Sequence, residues 1–372
     1  MNLGKYRALA ALLLAATAGG ALARDHDNQS QRREQPIVLA KSGGFVIGGK
    51  VVENPKNPEQ HISCDHGYME YFIPETPRKS SLVMWHSSST QVWQNRWDGG
   101  EGYKDMFLRR NYPVYLWDGP RVGRANYSCE SVTYTPKYLD EFNFHAWNLG
   151  KSYPNWFPGV QFPTESKEAW AEATASRYDE FDFLKNVELE TDAAAVAADS
   201  GRLGKQIVYL TNSAGGLRAM VTTTKAKQDN IKAIVTYESI GYVFPQGDPE
   251  SPAPCTDPNA CPFGPIVVPM DDFKKLTKLK IQFVWGDNRS DDADPVHQYV
   301  VQSRLAAKLI NKYGGHAEVL MLGDQGLKGS THIAFADMDN AGVAALLDKF
   351  LKQNKLDSYQ TGAAAGHWVW SR

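Results

Sequence analysis

A chain of 372 residues, 42% of them hydrophobic, is long enough to bury a large core. Its 40 Lys and Arg against 42 Asp and Glu leave a formal net charge of −2, which gives no electrostatic reason to expect a nucleic-acid partner. After the first 23 residues no segment has eighteen consecutive apolar residues, so no membrane span is expected.

The chain opens with Lys5 and Arg7, an apolar run from Ala8 to Ala16, and then Ala21-Leu22-Ala23. A charged start, a short apolar core and small residues at a cleavage point make up a removable secretory signal over residues 1–23. A secreted or periplasmic protein is therefore expected. Residues 24–36 are polar and charged, and are read as disordered. Residues 37–372 are read as one α/β domain.

Within it, strand and helix patterns alternate. Gly44–Val52 and Gly67–Ile73 read as an opening hairpin. Ser81–Trp85 and Pro113–Trp117 are short apolar runs of the kind buried on both faces, with a helix expected between them over Gly102–Arg110. Further strands are expected at Gln206–Leu210, Ile231–Thr236, Ile281–Trp285 and Ala317–Leu322. Helices are expected at Lys167–Leu184, Val187–Asp199, Leu217–Lys227, Val296–Tyr313 and Asn340–Leu351. This rhythm predicts a mostly parallel central sheet with helices on both faces.

Two stretches interrupt it. Residues 125–165 are rich in Tyr, Trp, Phe, Asn and Pro, and residues 241–270 in Pro, with Cys255 and Cys261. Both leave the carboxyl ends of predicted strands, where ligands of parallel sheets bind, so they read as lid-like insertions or pocket walls. The aromatic residues clustered between positions 68 and 157 suggest an aromatic-lined cleft. Four cysteines in an exported chain read as two disulfides. Of three possible pairings, Cys255–Cys261 would close a short loop and leave Cys64 with Cys129. No C-x-x-C or clustered His accompanies them, which argues against a metal site.

The most telling motif is Thr211-Asn212-Ser213-Ala214-Gly215-Gly216, between the strand at 206–210 and the helix from Leu217. A Ser on a tight turn between strand and helix is the context of a nucleophile elbow. The helix N-terminus offers N–H groups, Ala214 first, to a developing oxyanion. A Ser nucleophile needs a base and an orienting acid. His332, ten residues past the strand at 317–322, has the chain position of the base. Glu238 and Asp287 each follow a strand closely and are both candidates for the acid. The segment His86-Ser87-Ser88-Ser89-Thr90 follows a strand and is the candidate second arm of an oxyanion hole.

In this order, with Asp118-Gly119-Pro120-Arg121-Val122-Gly123-Arg124 similar to a D-x-x-G-x-G turn, the chain resembles the α/β-hydrolase superfamily. Within it, the elbow, Tyr237-Glu238 and Gly329-Ser330-Thr331-His332, with Asp337 and Asn340 downstream, resemble the secreted bacterial esterases typified by the Alcaligenes esterase 713. The resemblance implies an α/β-hydrolase fold and a serine carboxylic-ester hydrolase acting on an ester or a lactone. It implies Ser213, His332 and Glu238 as triad, which favours Glu238 over Asp287. The family's oxyanion loop carries two adjacent bonded Cys, and Ser87 and Ser88 stand at the matching positions here. The expected partner is a small-molecule ester, with a homodimer left open and no metal or organic cofactor implied. An amidase or peptidase would share the triad, and a non-catalytic binding protein would share the fold.

Overall fold

The computed structural model describes residues 36–86, 89–133, 139–178, 183–255, 257, 261, 263–289 and 296–360. The expected signal at 1–23 and nearly all of the segment 24–36 lie outside them. Contacts divide the chain into residues 1–38 and a unit from Leu39 to Arg372, to which all the elements below belong.

The unit opens with strands β1 (Leu39–Ile47), β2 (Lys50–Asn54), β3 (Asn57–Cys64) and β4 (Gly67–Pro74). The expected strand 44–52 is therefore two strands. The break falls at Gly48 and Gly49, whose φ values of 72° and 74° are left-handed, and a Cβ on Gly48 would lie 2.8 Å from Ala193. Strands β1 and β4 pair antiparallel, while β2 and β3 form a separate hairpin. Next come β5 (Ser80–His86), α1 (Tyr103–Arg109) and β6 (Val114–Asp118), close to expectation.

The first insertion contains α2 (Asp140–Ala146) and the small hairpin β7 (Gly150–Ser152) and β8 (Asn155–Trp156). Then follow α3 (Lys167–Ala175) and α4 (Leu184–Asp199). The helix expected over 167–184 thus stops nine residues after its start, at Ser176. Ser166 caps its N-terminus, accepting from the Ala169 amide at 3.1 Å. The run from β9 (Gln206–Asn212) through α5 (Ala214–Lys225) to β10 (Ile231–Tyr237) leads into the second insertion, with β11 (Val243–Pro245) and β12 (Ile266–Val268). The chain continues with α6 (Met270–Leu276), β13 (Lys280–Trp285), α7 (His297–Lys312), β14 (His316–Met321) and α8 (Asn340–Gln353).

Eight strands form one sheet in the order β1-β4-β6-β5-β9-β10-β13-β14. The pairings from β6 to β14 are all parallel, and β4 alone runs against the rest. Every residue of β5 and β6 is buried, as expected of strands covered on both sides. One apolar cluster joins Val83, Trp85, Tyr209, Ile234 and Phe283 of the sheet to α4, α5, α6 and α7. Helix α4 meets the sheet through Ala193, Ala194, Ala197 and Ala198, whose small side chains allow a close approach. The buried residues of α1 and α8 lie outside that cluster, and the two helices pack on each other. Arg218 of α5 and Glu190 of α4 make a buried ion pair at 2.9 Å.

Two disulfides join Cys64 to Cys129 and Cys255 to Cys261. They span 65 and 6 residues, so by loop-closure entropy the first is worth about 4 kcal/mol and the second about 2 kcal/mol. Many aromatic residues of the first insertion pack on one another. Phe144 meets Trp156 at 4.7 Å and Tyr153 at 5.4 Å, and Trp156 stacks on Phe162 at 5.2 Å. They give the insertion a small core of its own.

Candidate active site

Ser213 is the single residue between β9 and α5. Its backbone, at φ 56° and ψ −131°, lies outside the regions that L-residues adopt readily. Three hydrogen bonds hold this conformation. Its amide donates to the Tyr237 carbonyl at 3.0 Å, and its carbonyl accepts from Gly216 and Ile240, both at 3.1 Å. The glycines that follow serve packing, since neither has positive φ. A Cβ on Gly216 would lie 2.1 Å from Ser239 Oγ and 2.4 Å from Thr236 Oγ1. On Gly215 it would lie 2.7 Å from the Trp85 carbonyl and 3.4 Å from Thr211 Cβ. The missing side chain at Gly215 leaves room for buried Thr211 at the position where G-x-S-x-G has its first glycine. Ala214 opens α5, so its N–H is among the four that have no intrahelical acceptor.

His332 Nδ1 lies 2.7 Å from Glu238 Oε2, and both residues are buried. Glu238 directly follows β10 in a left-handed conformation, φ 46°, and its amide donates to the Val284 carbonyl at 2.7 Å. Its Oε1 accepts from the Gly286 amide at 3.0 Å and from Arg289 Nε at 3.1 Å, and its Oε2 accepts from Arg289 Nη2 at 2.7 Å. Burial alone would raise this carboxyl, but the Arg289 guanidinium and the bond to His332 outweigh it and bring it down to about 2. Asp287 stands elsewhere in the site. Its Oδ2 accepts from the Gly329 amide at 2.9 Å, and its own amide donates to the Ser330 carbonyl at 2.9 Å. It braces the turn before His332 and does not touch the imidazole in this arrangement.

The elbow and the histidine loop are joined directly. Asn212 Nδ2 donates to the Tyr237 carbonyl at 2.9 Å and to the His332 carbonyl at 2.8 Å. The first insertion also reaches the loop. The His332 amide donates to the Trp147 carbonyl at 2.9 Å, and Asn148 Nδ2 to the Asp287 carbonyl at 2.5 Å. Arg289 Nη2 donates to the Ala146 carbonyl at 3.2 Å.

His86 ends β5, and its Nδ1 accepts from the Ser89 amide at 3.1 Å. Burial, with His332 and Arg218 adding to it, pushes its imidazole down to about 3, so it is neutral at physiological pH. Ser87 and Ser88 lie outside the described residues. The D-x-x-G-x-G-like turn is fixed at its first residue, where Asp118 Oδ2 accepts from Arg124 Nε at 2.6 Å and from the Arg124 amide at 3.2 Å. Among the described residues no cluster of three or more His, Cys, Asp or Glu could hold a metal ion, and no helix is long and apolar enough to cross a membrane.

Sequence reasoning did not find Arg289, Asn212 or the Ala146–Asn148 contacts. Arg289 lies in an irregular stretch after β13 with no periodicity to mark it, and its one signal is its place two residues beyond Asp287. Asn212 had a stronger signal, as the residue immediately before the elbow Ser.

No family model matches the chain. A curated fungal relative, "Probable secreted lipase phiG" from Fungal sp. (strain ATCC 74256), is 23% identical over 319 residues. That match covers 75% of this chain and 84% of the relative. A solved structure described as that of a novel bacterial esterase superposes with a TM-score of 0.67 at 22% identity. It covers 86% of this chain and 98% of the other. The chain has the α/β-hydrolase fold, as its resemblance to the bacterial esterases implies.

Proposed function

We propose that this chain, with its α/β-hydrolase fold, is an exported serine carboxylic-ester hydrolase that works through an acyl-enzyme. The observation that carries the reading is the joint placement of a strained Ser213 after β9 and of Glu238 after the neighbouring β10, with the Glu238 carboxylate 2.7 Å from His332 in the loop beyond β14. Both sit at the carboxyl edge of the parallel strands, where ligands of such sheets bind.

In this reading Ser213 Oγ attacks the ester carbonyl carbon while His332 Nε2 takes its proton. The carbonyl oxygen becomes an oxyanion, held by the Ala214 N–H and a donor from the loop after β5. The intermediate collapses, the C–O bond to the alcohol breaks, and His332 returns the proton to the leaving oxygen. Water then repeats the sequence on the acyl-enzyme and releases the acid. Glu238 holds the Nδ1–H tautomer and offsets the imidazolium charge. A lactone is an internal ester and would follow the same steps. The four cysteines, all in disulfides, support export to an oxidising compartment, as does the word "secreted" in the fungal relative's name.

Aryl-ester turnover and fluorophosphonate labelling of wild type and Ser213→Ala test this reading. The substitution should remove labelling and cut kcat by about 10³-fold or more, with thermal stability nearly unchanged. Hydrolysis at wild-type rates by Ser213→Ala would overturn it, and amide turnover far exceeding ester turnover would redirect it to the amidases.

A further inference from the structure

We propose that Arg289 is a positioning residue for the proton relay of this site. Its two-pronged contact with Glu238 fixes that carboxylate as a buried anion aimed at His332, and its positive charge offsets the pull of that carboxylate on the relayed proton. The inference deepens the proposed ester hydrolysis and rests on it.

The geometry supports the assignment at each end. Arg289 is 2% exposed, and its side chain reaches both oxygens of Glu238, at 3.1 Å to Oε1 and at 2.7 and 3.2 Å to Oε2. The planar guanidinium fork suits a carboxylate held in one orientation, which a lysine could not reproduce. With Gly286 N–H also on Oε1, the carboxyl group cannot rotate without breaking several bonds, so Oε2 stays on His332 Nδ1. The fork is itself anchored. Nη2 also donates to the Ala146 carbonyl of α2, and His297 Nδ1 on α7 lies 3.0 Å from the Arg289 carbonyl.

The electrostatics have a definite sign. A carboxylate beside a histidine stabilises the imidazolium and raises the pH at which the base becomes protonated. A cation on the same carboxylate cancels much of that field. Among the described residues, the other ionisable groups packed around this unit do not replace it. Burial pushes His86 on β5 down and leaves it neutral, and burial pushes the Tyr242 hydroxyl and the Asp337 carboxyl well up. Asp287 faces the Gly329 amide, with Lys328 at 3.9 Å on its rim. His297 Nδ1 meets the Arg289 backbone carbonyl. Among the described residues, Arg289 is the cation in contact with Glu238.

The test compares wild type, Arg289→Gln and Arg289→Lys in two measurements. One is the pH profile of kcat/KM on an aryl ester. The other is the NMR titration of the His332 ring with Ser213→Ala in each background. Arg289→Gln should move the acid limb, and the ring's midpoint, upward by roughly one pH unit. Arg289→Lys should keep the wild-type limb and KM while kcat falls about tenfold, since the charge remains and the fork is lost. An unmoved limb and midpoint in Arg289→Gln overturns the proposal, whatever happens to kcat. If Arg289→Gln shows no cooperative thermal transition, Arg289→Lys decides. Reduced kcat at an unchanged limb supports the proposal, and wild-type kcat overturns it. Failure of the ester-hydrolase reading is seen separately, as a wild type inert towards esters, and the ring titration still measures the effect of Arg289.

Discussion

Asp337 accepts two hydrogen bonds from Thr331, from its amide at 2.6 Å and from its hydroxyl at 2.7 Å. Thr331 is the residue immediately before His332, so this carboxyl group fixes the approach of the backbone to the imidazole. Trp97 Nε1 adds a third bond at 3.0 Å. Asp337→Ala would leave these buried donors without their acceptor. It should cost about 2–4 kcal/mol of stability and lower kcat by roughly 10- to 100-fold through a displaced His332. Asp337→Asn keeps one acceptor oxygen and should lose less on both counts. Thermal melts and kcat measured on the same samples check the pair, and an unaltered kcat in Asp337→Ala would remove Asp337 from any role in placing the histidine.

The contest between the two acids has a measurable answer. Glu238→Gln should reduce kcat by roughly 10²- to 10⁴-fold with a smaller change in KM, because an amide can present the wrong group to Nδ1 and carries no charge to support an imidazolium. It should also lower stability, since it strands the buried Arg289 cation. Asp287→Asn weakens one turn contact to the Gly329 amide and should cost about 1 kcal/mol with a far smaller loss of kcat. Side-by-side kcat values on one aryl ester decide, and a crippled Asp287→Asn beside a near-normal Glu238→Gln would reverse the assignment.

Acid stability follows from the same buried carboxylate. Glu238 is held at about 2 in the folded chain against an ordinary 4.5, by Arg289 and His332 working against burial. Between those values the unfolded chain binds more protons than the folded one. The group's contribution to stability is thus complete above about 4.5 and is lost as pH falls towards 2. Asp339, which burial raises from 3.8 to about 6, works in the opposite sense: its contribution is present at low pH and is lost as pH rises through about 6. Melting temperature followed from pH 6 downward should fall less steeply in Glu238→Gln than in wild type. Equal slopes would mean that the Glu238 carboxylate is not linked to folding.

The elbow was legible because its signal is local: an apolar strand, a Ser among small residues, and a helix lie within twenty positions. The parallel strands were legible for the same reason, as continuous apolar runs. Spacing could not separate Glu238 from Asp287, since both follow strands at the same sheet edge, and the contact with His332 belongs to Glu238. Their difference lies in side-chain direction, set by a left-handed backbone at Glu238 that no pattern of residue types announces. The β1–β2 break is a related case, because the apolar run passes through Gly48 and Gly49 and only their backbone angles divide it. The helix expected over 167–184 was drawn too long by composition, which carries on past Ser176 where the helix stops.

The contacts of residues 146–148 with Arg289, Asp287 and His332 have a consequence for how the molecule is made. The bonds that assemble the site join positions 94, 139 and 143 apart in the chain, so each must close a long loop before it gains anything. Helices and neighbouring strands can form well before that. A refolding chain will therefore regain its secondary structure first, and the reactive centre will mature late, once the distant aromatic-rich segment has docked. Under the ester-hydrolase reading proposed above, activity would return later than secondary structure when the chain refolds.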